Sequence, residues 1–227
     1  MKSLFSFVTS LLITLSYAQN LKHFTIPEGY TKIAESKGDL DKDGKDEVVI
    51  ILDTDKKASE NKSFSKDNDY NRVLYILKND TGQLKIWKEN TSLLFSSGTG
   101  FYSEDSSPPE ISIKNNALTI TQVFNTNSRH TQLYKHTFRF QNGNFYLMGS
   151  HDHFEDTCDF SFLNEINFST GKVIIDKEYS SCDEDAKIPE RSHKEFIHTF
   201  KPLIKMNDFK IGAHTFRIPC SNEDFIF

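Results

Sequence analysis

One short acidic stretch, residues 38–47, carries the residue types and the spacing of a metal site. Its carboxylates recur at alternate positions, so they converge on one point, and Gly44 permits the sharp turn that this convergence requires. The predicted ligands are the side chains of Asp39, Asp41, Asp43 and Glu47 and the backbone carbonyl of Lys45. Hard oxygen ligands in this number suit calcium better than a transition metal. The loop therefore predicts a Ca2+ site.

The end of this loop differs from that of an EF-hand. An EF-hand places a glutamate at position 12 and a helix on each side, whereas position 12 here is Ile50, within an apolar, β-branched run. We therefore expect a strand, not a helix, after Glu47. A bound calcium ion would neutralise clustered carboxylates that otherwise repel one another. The alternative interpretation is a solvated, aspartate-rich turn without metal.

Other candidate sites have weaker signals. His151 and His153 would face the same side of a strand, as alternate residues do. With Glu155 or Asp156 they would complete a zinc site, although paired histidines are equally typical of a solvated strand end. The G-x-S-x-G turn of a serine nucleophile is absent from the sequence, and no carboxylate pair has a spacing that marks a glycosidase. We therefore expect a protein that acts by binding and is not an enzyme.

Composition and the N-terminal segment predict the compartment. The chain of 227 residues has a formal net charge of −5 and no block of basic residues, which argues against nucleic-acid binding. Residues 1–18 have the charged start, apolar centre and small-residue end of a secretory signal peptide; the alternative is a buried N-terminal helix. We expect a periplasmic or secreted protein, not embedded in a membrane after signal removal, with residues 19–227 forming a single calcium-binding domain.

Most of the remaining chain consists of short strands joined by tight turns. β-branched and aromatic runs flank turns of the Asn-Gly type, which is typical of antiparallel hairpins. Four such turns are centred on residues 80–82, 115–116, 142–143 and 169–171. With 20 Phe and 8 Tyr to fill a core, the sequence predicts an all-β domain: a sandwich, a barrel or a small propeller. Near the C-terminus, Phe196, Phe200 and Leu203 have the spacing of a short helix, while residues 194–200 fit a strand equally well.

Export also makes a disulfide stable, and three cysteines are present. In the hairpin centred on residues 169–171, paired residue numbers sum to 340 if the loop has three residues with Gly171 in the left-handed position. Cys158 and Cys182 satisfy the same sum, so this pairing is favoured over the two alternatives. Cys220 is then left over, either buried in the C-terminal segment or bonded to a partner chain.

The acidic loop resembles the calcium loop of the FG-GAP type, in which a D-x-D-x-D-G-x-x-D sequence joins two strands of a propeller blade. Residues 38–52 match this pattern, with Glu47 where an aspartate is usual, and a single such loop does not imply a full propeller. A wider resemblance covers residues 30–180, through the segments 72–74, 116–120, 138–149 and 167–172. Their order is similar to a family of exported bacterial proteins with a single calcium loop. Its best-understood type is a periplasmic immunity protein of a type IV secretion system, related in fold to periplasmic lysozyme inhibitors.

The resemblance implies a function in binding a partner. Inhibitors of that group insert a short Ser-Gly-x-Tyr loop into the cleft of a peptidoglycan hydrolase. In this chain the long loop 94–109 contains Ser97, Gly98 and Tyr102, with the tyrosine four residues after the glycine instead of two. The expected partner is therefore a protein, a peptidoglycan hydrolase, and the expected function is that of an inhibitor or immunity protein. The alternatives are a structural or adhesive calcium-binding envelope protein and a cryptic hydrolase.

Overall fold

The chain folds into an all-β sandwich of antiparallel sheets that do not close into a barrel. The computed structural model describes residues 24–58, 69–101 and 107–227. The first sheet contains β1 (Thr31–Gly38), β2 (Glu47–Lys57), β3 (Tyr70–Asp80) and β4 (Gln83–Asn90). The second sheet contains β5 (Glu110–Lys114), β6 (Ala117–Asn125), β7 (His130–Gln141), β8 (Asn144–Asp156), β9 (Phe160–Asn167), β10 (Lys172–Tyr179) and β11 (Ser192–Ile197). A 3-10 turn (Met206–Asp208) precedes a ribbon of β12 (Thr215–Arg217) and β13 (Asp224–Ile226). The predicted all-β fold is confirmed.

The first sheet is buried on both faces at its centre. Residues 48–52 of β2 are all buried, which explains why they are apolar without alternation. Val49 and Ile51 pack in the same core cluster as Phe138 and Leu147 of the second sheet. The opposite face forms a second cluster of Val48, Ile50, Leu52, Val73, Tyr75 and Leu77, against which Phe24, Ile26 and Tyr30 pack. This doubly buried strand anchors the acidic loop that immediately precedes it.

Three predicted hairpins form with the expected turn chemistry. A two-residue turn that matches the twist of the flanking strands requires a positive φ at both central residues. The central pairs are Thr81–Gly82, Asn115–Asn116 and Asn142–Gly143, whose φ angles lie between 49° and 84°. They join β3 to β4, β5 to β6 and β7 to β8. Asn and Gly accept this conformation readily, so the turn residues were a reliable signal.

The fourth hairpin forms with a different loop length from the predicted one. Asn167 pairs with Lys172, so the loop has four residues, 168–171, and the register is shifted by one residue from our prediction. Gly171 does have a positive φ of 75°. The amide of Gly171 donates a hydrogen bond to the carbonyl of Asn167, and this bond closes the longer loop.

The predicted disulfide between Cys158 and Cys182 is confirmed, with the two Cα atoms 5.1 Å apart. Both cysteines lie beyond the last pair of the β9–β10 ladder, where the two chains are free to compensate for the shifted register. Cys220 is the free cysteine, but it is exposed, so our expectation of a buried thiol is wrong. It lies in the turn between β12 and β13.

The C-terminal segment forms a strand where the sequence left two alternatives open. β11 pairs with β10 along its whole length, so no helix forms at residues 192–197. The described part of the chain contains no helix with the length and apolar character needed to cross a membrane. The predicted signal peptide, residues 1–18, and the predicted partner-binding Tyr102 lie outside the described residues.

Candidate metal centre

The acidic loop connects β1 to β2 at one end of the sandwich and is held by both large sheets. The side-chain amide of Asn116, in the turn between β5 and β6, donates a hydrogen bond of 2.7 Å to the carbonyl of Asp39. A Cβ atom on Gly38 would lie 2.6 Å from Cγ2 of Ile113, so glycine is needed where β1 approaches β5. The loop is therefore placed by contacts from two sheets and not by its own sequence alone.

Asp39 organises the backbone of the loop. Its Oδ1 accepts a hydrogen bond from the amide of Lys42 at 2.6 Å, and its Oδ2 accepts one from the amide of Gly44 at 3.1 Å. Lys42 and Gly44 have φ angles of 69° and 80°, in the left-handed region, which glycine adopts without a steric penalty. The chain therefore curls tightly around the Asp39 carboxylate.

Asp41 and Asp43 each use one oxygen within the loop and turn the other to its centre. Oδ1 of Asp43 accepts a hydrogen bond of 2.9 Å from the amide of Lys45, and Oδ1 of Asp41 accepts one of 3.3 Å from the amide of Asp43. The Oδ2 atoms of both aspartates contact the ammonium of Lys78. The distance from this ammonium to Oδ2 of Asp43 is 2.9 Å. One oxygen each from Asp39, Asp41 and Asp43 lies within 4.8 Å of the others, close enough to share an ion.

Glu47 is the buried member of this cluster. Its side chain is 1% exposed, and its Oε2 accepts a hydrogen bond of 2.8 Å from the amide of Leu40. Its Oε1 has no hydrogen-bond partner within the described residues, and the Lys78 ammonium is 3.7 Å away. Burial raises the pKa of the Glu47 carboxyl, and the negative charges of Asp41 and Asp43 add to this effect. A buried carboxylate oxygen without a hydrogen bond is costly, so Oε1 is the least satisfied atom of the cluster.

Lys78 is the site residue that the sequence analysis missed. It lies 37 residues from Asp41 in the sequence and reaches the loop because β3 pairs with β2. The hydrogen bond from Lys78 to Asp41 raises the pKa of the lysine, and the bond to Asp43 lowers the pKa of that carboxyl. No sequence pattern marked Lys78; it is placed by the β2–β3 pairing, in which Val48 lies opposite Leu77.

The four predicted carboxylates are thus neighbours. The fifth predicted ligand is the backbone carbonyl of Lys45. Lys45 is exposed, and its amide donates the hydrogen bond to Asp43. Ligation by the Lys45 carbonyl stays a prediction. Asn116 was also missed, because nothing in its sequence context distinguishes it from other turn residues.

The predicted partner-binding residues Ser97 and Gly98 lie between β4 and β5 and are tied to the start of β3. The amide of Tyr70 donates a hydrogen bond of 2.8 Å to Oγ of Ser97, and the amide of Gly98 donates one of 2.8 Å to Oδ1 of Asp69. A Cβ atom on Gly98 would lie 2.7 Å from that of Asp69, so glycine is needed at this contact. These bonds tie residues 97 and 98 to the start of β3, and their binding to a partner stays a prediction.

His151 and His153 lie on one face of β8, but their contacts are those of a structural pair. Nδ1 of His151 is 2.7 Å from a carboxylate oxygen of Glu165, and Nε2 of His153 is 2.8 Å from Oγ of Ser161. Asp156 points elsewhere and contacts an arginine. Within the described residues, the only grouped side chains suited to a metal ion are Asp39, Asp41 and Asp43. Glu155, the other predicted ligand, lies 3.7 Å from Nε2 of His153, so a zinc site here stays a prediction.

A groove of about 620 Å³ lies on the face of the second sheet that points away from the core. Its charged lining residues are Lys135, Arg139, His151, Glu165 and Lys172. His151 is paired with Glu165, and Lys172 lies 3.0 Å from Glu195. The lining therefore has three basic side chains, Lys135, Arg139 and Lys172, and one carboxylate, Glu165.

Comparison with protein-family models, with curated proteins and with solved structures gives no match for this chain. Its own geometry defines the class: an antiparallel β-sandwich with a disulfide and an acidic loop whose carboxylates surround one ammonium.

Proposed function

We propose that this protein binds a calcium ion at the acidic loop and that the ion stabilises a scaffold for binding a partner. The observation that carries the proposal is Oε1 of Glu47, a buried carboxylate oxygen that receives no hydrogen bond from the residues the structure describes. It lies beside the carboxylates of Asp41 and Asp43, with which it shares a contact to Lys78. Such a concentration of negative charge requires more positive charge than one lysine supplies.

The residues of the loop fit calcium by their chemistry. Ca2+ takes six to eight oxygen ligands and tolerates irregular geometry, and the four side chains offer carboxylate oxygens only. Asp39, Asp41, Asp43 and Glu47 would hold the ion. The ion would supply charge neutralisation and would join the end of β1 to the start of β2.

The test is thermal unfolding of the purified protein in chelator and in calcium at about 100 times the Kd that calorimetry gives. At a calcium concentration about 100 times its Kd, binding adds about 2.7 kcal/mol to the free energy of unfolding. We expect calcium to raise the Tm by roughly 5–10 °C, because each kcal/mol shifts the Tm of a chain of this size by about 2–4 °C. An unchanged Tm, together with no heat of binding in calorimetry, would contradict the proposal.

The matched variant for this test is Glu47→Gln. Glutamine retains an oxygen that can accept the hydrogen bond from Leu40 but removes the buried charge. In chelator we expect this variant to be at least as stable as the native protein, because the uncompensated charge is gone. In calcium its Tm should rise by less than half of the native shift.

For the partner, we propose a peptidoglycan hydrolase, with inhibition or immunity as the biological role. The support is the resemblance of the chain to exported proteins with one calcium loop, and the hydrogen bonds that hold Ser97 and Gly98. Their backbone is fixed by Asp69 and Tyr70, so little ordering would be required on binding.

This role is tested by muropeptide release from purified peptidoglycan by envelope hydrolases, with and without a stoichiometric amount of the protein. Inhibition that Tyr102→Ala abolishes would support the proposal. Tyr102 is the better target than Ser97, because Ser97 accepts a hydrogen bond from the Tyr70 amide and its loss would also loosen the fold. Full hydrolase activity with no one-to-one complex would favour a structural or adhesive role instead.

A further inference from the structure

The ammonium of Lys78 lies where the carboxylates of the acidic loop converge. It contacts Oδ2 of Asp41, is 2.9 Å from Oδ2 of Asp43 and is 3.7 Å from Oε1 of Glu47. These are the oxygens that point away from the backbone of the loop, since the other oxygen of each residue accepts an amide hydrogen bond. Lys78 therefore uses the same oxygens that a metal ion would need.

A calcium ion and this ammonium cannot share those oxygens. Calcium binds its oxygen ligands at about 2.3–2.6 Å, which would bring it into contact with an ammonium that is hydrogen-bonded to the same atoms. Two adjacent cations would also repel each other. The lysine must leave when the ion arrives, and the long, flexible stem of the side chain allows it to do so.

Resting on the calcium site proposed above, we propose that Lys78 is a built-in competitor whose displacement sets the calcium affinity of the loop. In the absence of the ion the ammonium reduces the repulsion between the carboxylates, so the loop keeps its shape. Calcium has to break the charge-assisted hydrogen bonds from Lys78 before it can bind. The affinity is thereby lowered toward about 0.1–1 mM, the range of extracellular calcium modules.

The chain contains a natural reporter of this displacement. Trp87 is the single tryptophan of the sequence, and the Lys78 ammonium lies 5.1 Å from the centre of its ring. A cation at this distance interacts with the electrons of the ring. Departure of Lys78 should therefore change the fluorescence of Trp87 as calcium binds.

The experiment compares Lys78→Met with Lys85→Met by calorimetry and tryptophan fluorescence during calcium titration. Lys85 is the cross-strand neighbour of Lys78, but it pairs with Asp80 and does not contact the loop. Both variants remove one positive charge, so only loss of the competing contact separates them. We expect Lys78→Met to bind calcium roughly ten- to hundredfold more tightly, because charge-assisted hydrogen bonds no longer compete. Lys85→Met should bind as the native protein does.

The fluorescence result is an independent readout. Calcium should change the emission of Trp87 in the native protein and in Lys85→Met, but not in Lys78→Met, where no ammonium leaves the ring. Lys78→Arg keeps a cation at the loop and should bind calcium no more tightly than the native protein; it also serves if Lys78→Met fails to fold.

Three outcomes would overturn the inference, and they separate it from the function on which it rests. Equal calcium affinity in the native protein and Lys78→Met would show that the lysine does not compete, while the calcium site itself stands. An equal gain in Lys78→Met and Lys85→Met would assign the effect to general charge. No calcium binding to any of the proteins would refute both the inference and the proposed calcium site.

Discussion

Two corners of this sandwich gather carboxylates, and they differ in how those charges are balanced. At the acidic loop, three carboxylates contact the single ammonium of Lys78, and Oε1 of Glu47 has no hydrogen bond from the described residues. The surrounding backbone amides already donate hydrogen bonds to the other carboxylate oxygens of the cluster. Negative charge is therefore in excess at the acidic loop.

At the second corner, next to the disulfide, the charges are matched. Arg129 contacts both Asp156 and Asp159, at 2.6 Å and 2.7 Å. Oδ1 of Asp156 also accepts hydrogen bonds from the amides of Cys158 and Asp159, and Nε2 of His130 lies 2.9 Å from its Oδ2. Oδ2 of Asp156, like Oε1 of Glu47, receives no hydrogen bond from the described residues. The second corner differs because the Asp156 carboxylate has the Arg129 guanidinium and two backbone amides as partners.

The pKa values of the two buried carboxyls express the same difference. Burial alone would raise the pKa of Asp156, but the amides of Cys158 and Asp159 and the Arg129 guanidinium outweigh it and lower the pKa to about 2. Burial raises the pKa of Glu47, and the amide of Leu40 only partly opposes it. A lowered pKa means that the fold stabilises the charged form, and a raised pKa means that it does not. Acidic clusters of similar composition can therefore be structural or ligand-binding, according to their local donors.

The largest expected effect comes from breaking the matched corner with Asp156→Ala. The variant leaves Arg129 and two backbone amides without their acceptor. We expect the Tm to fall by roughly 10 °C, by the same amount in calcium and in chelator. Asp159→Ala is the control: its side chain is 55% exposed, and the loss should be small. A loss that depends on calcium would contradict the separation of the two corners.

The pH dependence of Asp156→Ala sharpens this test. The folded-state pKa of Asp156, about 2, is below its ordinary value of 3.8, so its stabilising effect is present above pH 3.8 and is lost as the pH falls through about 2. The difference in unfolding free energy between the native protein and the variant should shrink between about pH 4 and 2. Urea unfolding at a series of pH values measures it. A difference that is unchanged at about pH 2 would show that the carboxylate charge does not stabilise this corner.

The sequence predicted the local half of the acidic loop and missed the rest. Asp39, Asp41 and Asp43 are close in the chain, and a short turn suffices to bring them together, so their spacing was informative. Lys78 and Asn116 reach the loop from 37 and 77 residues away, and their positions depend on strand pairing and on the packing of one sheet against the other. No local pattern encodes such contacts.

The same reasoning explains the outcome for the fold. Paired turn residues such as Asn142 and Gly143 specify a hairpin by themselves, and these hairpins are confirmed. The loop that ends at Gly171 is one residue longer than predicted, because a single glycine does not determine loop length. The disulfide could still be predicted, since its cysteines needed only to be near each other at the open end of the hairpin.

The smallest expected effect tests whether the second sheet helps to organise the metal centre. Asn116→Gly removes the hydrogen bond to the Asp39 carbonyl but suits the left-handed backbone, since Asn116 has a φ of 58°. A hydrogen bond of this kind contributes about 1 kcal/mol, so calcium affinity measured by calorimetry should fall by about fivefold. Asn115→Gly is the matched control, because Asn115 has a φ of 52° in the same turn. If both variants bind calcium equally well, the contact between the sheets does not shape the loop. The positions of the carboxylates then depend only on the β1–β2 connection and on Lys78.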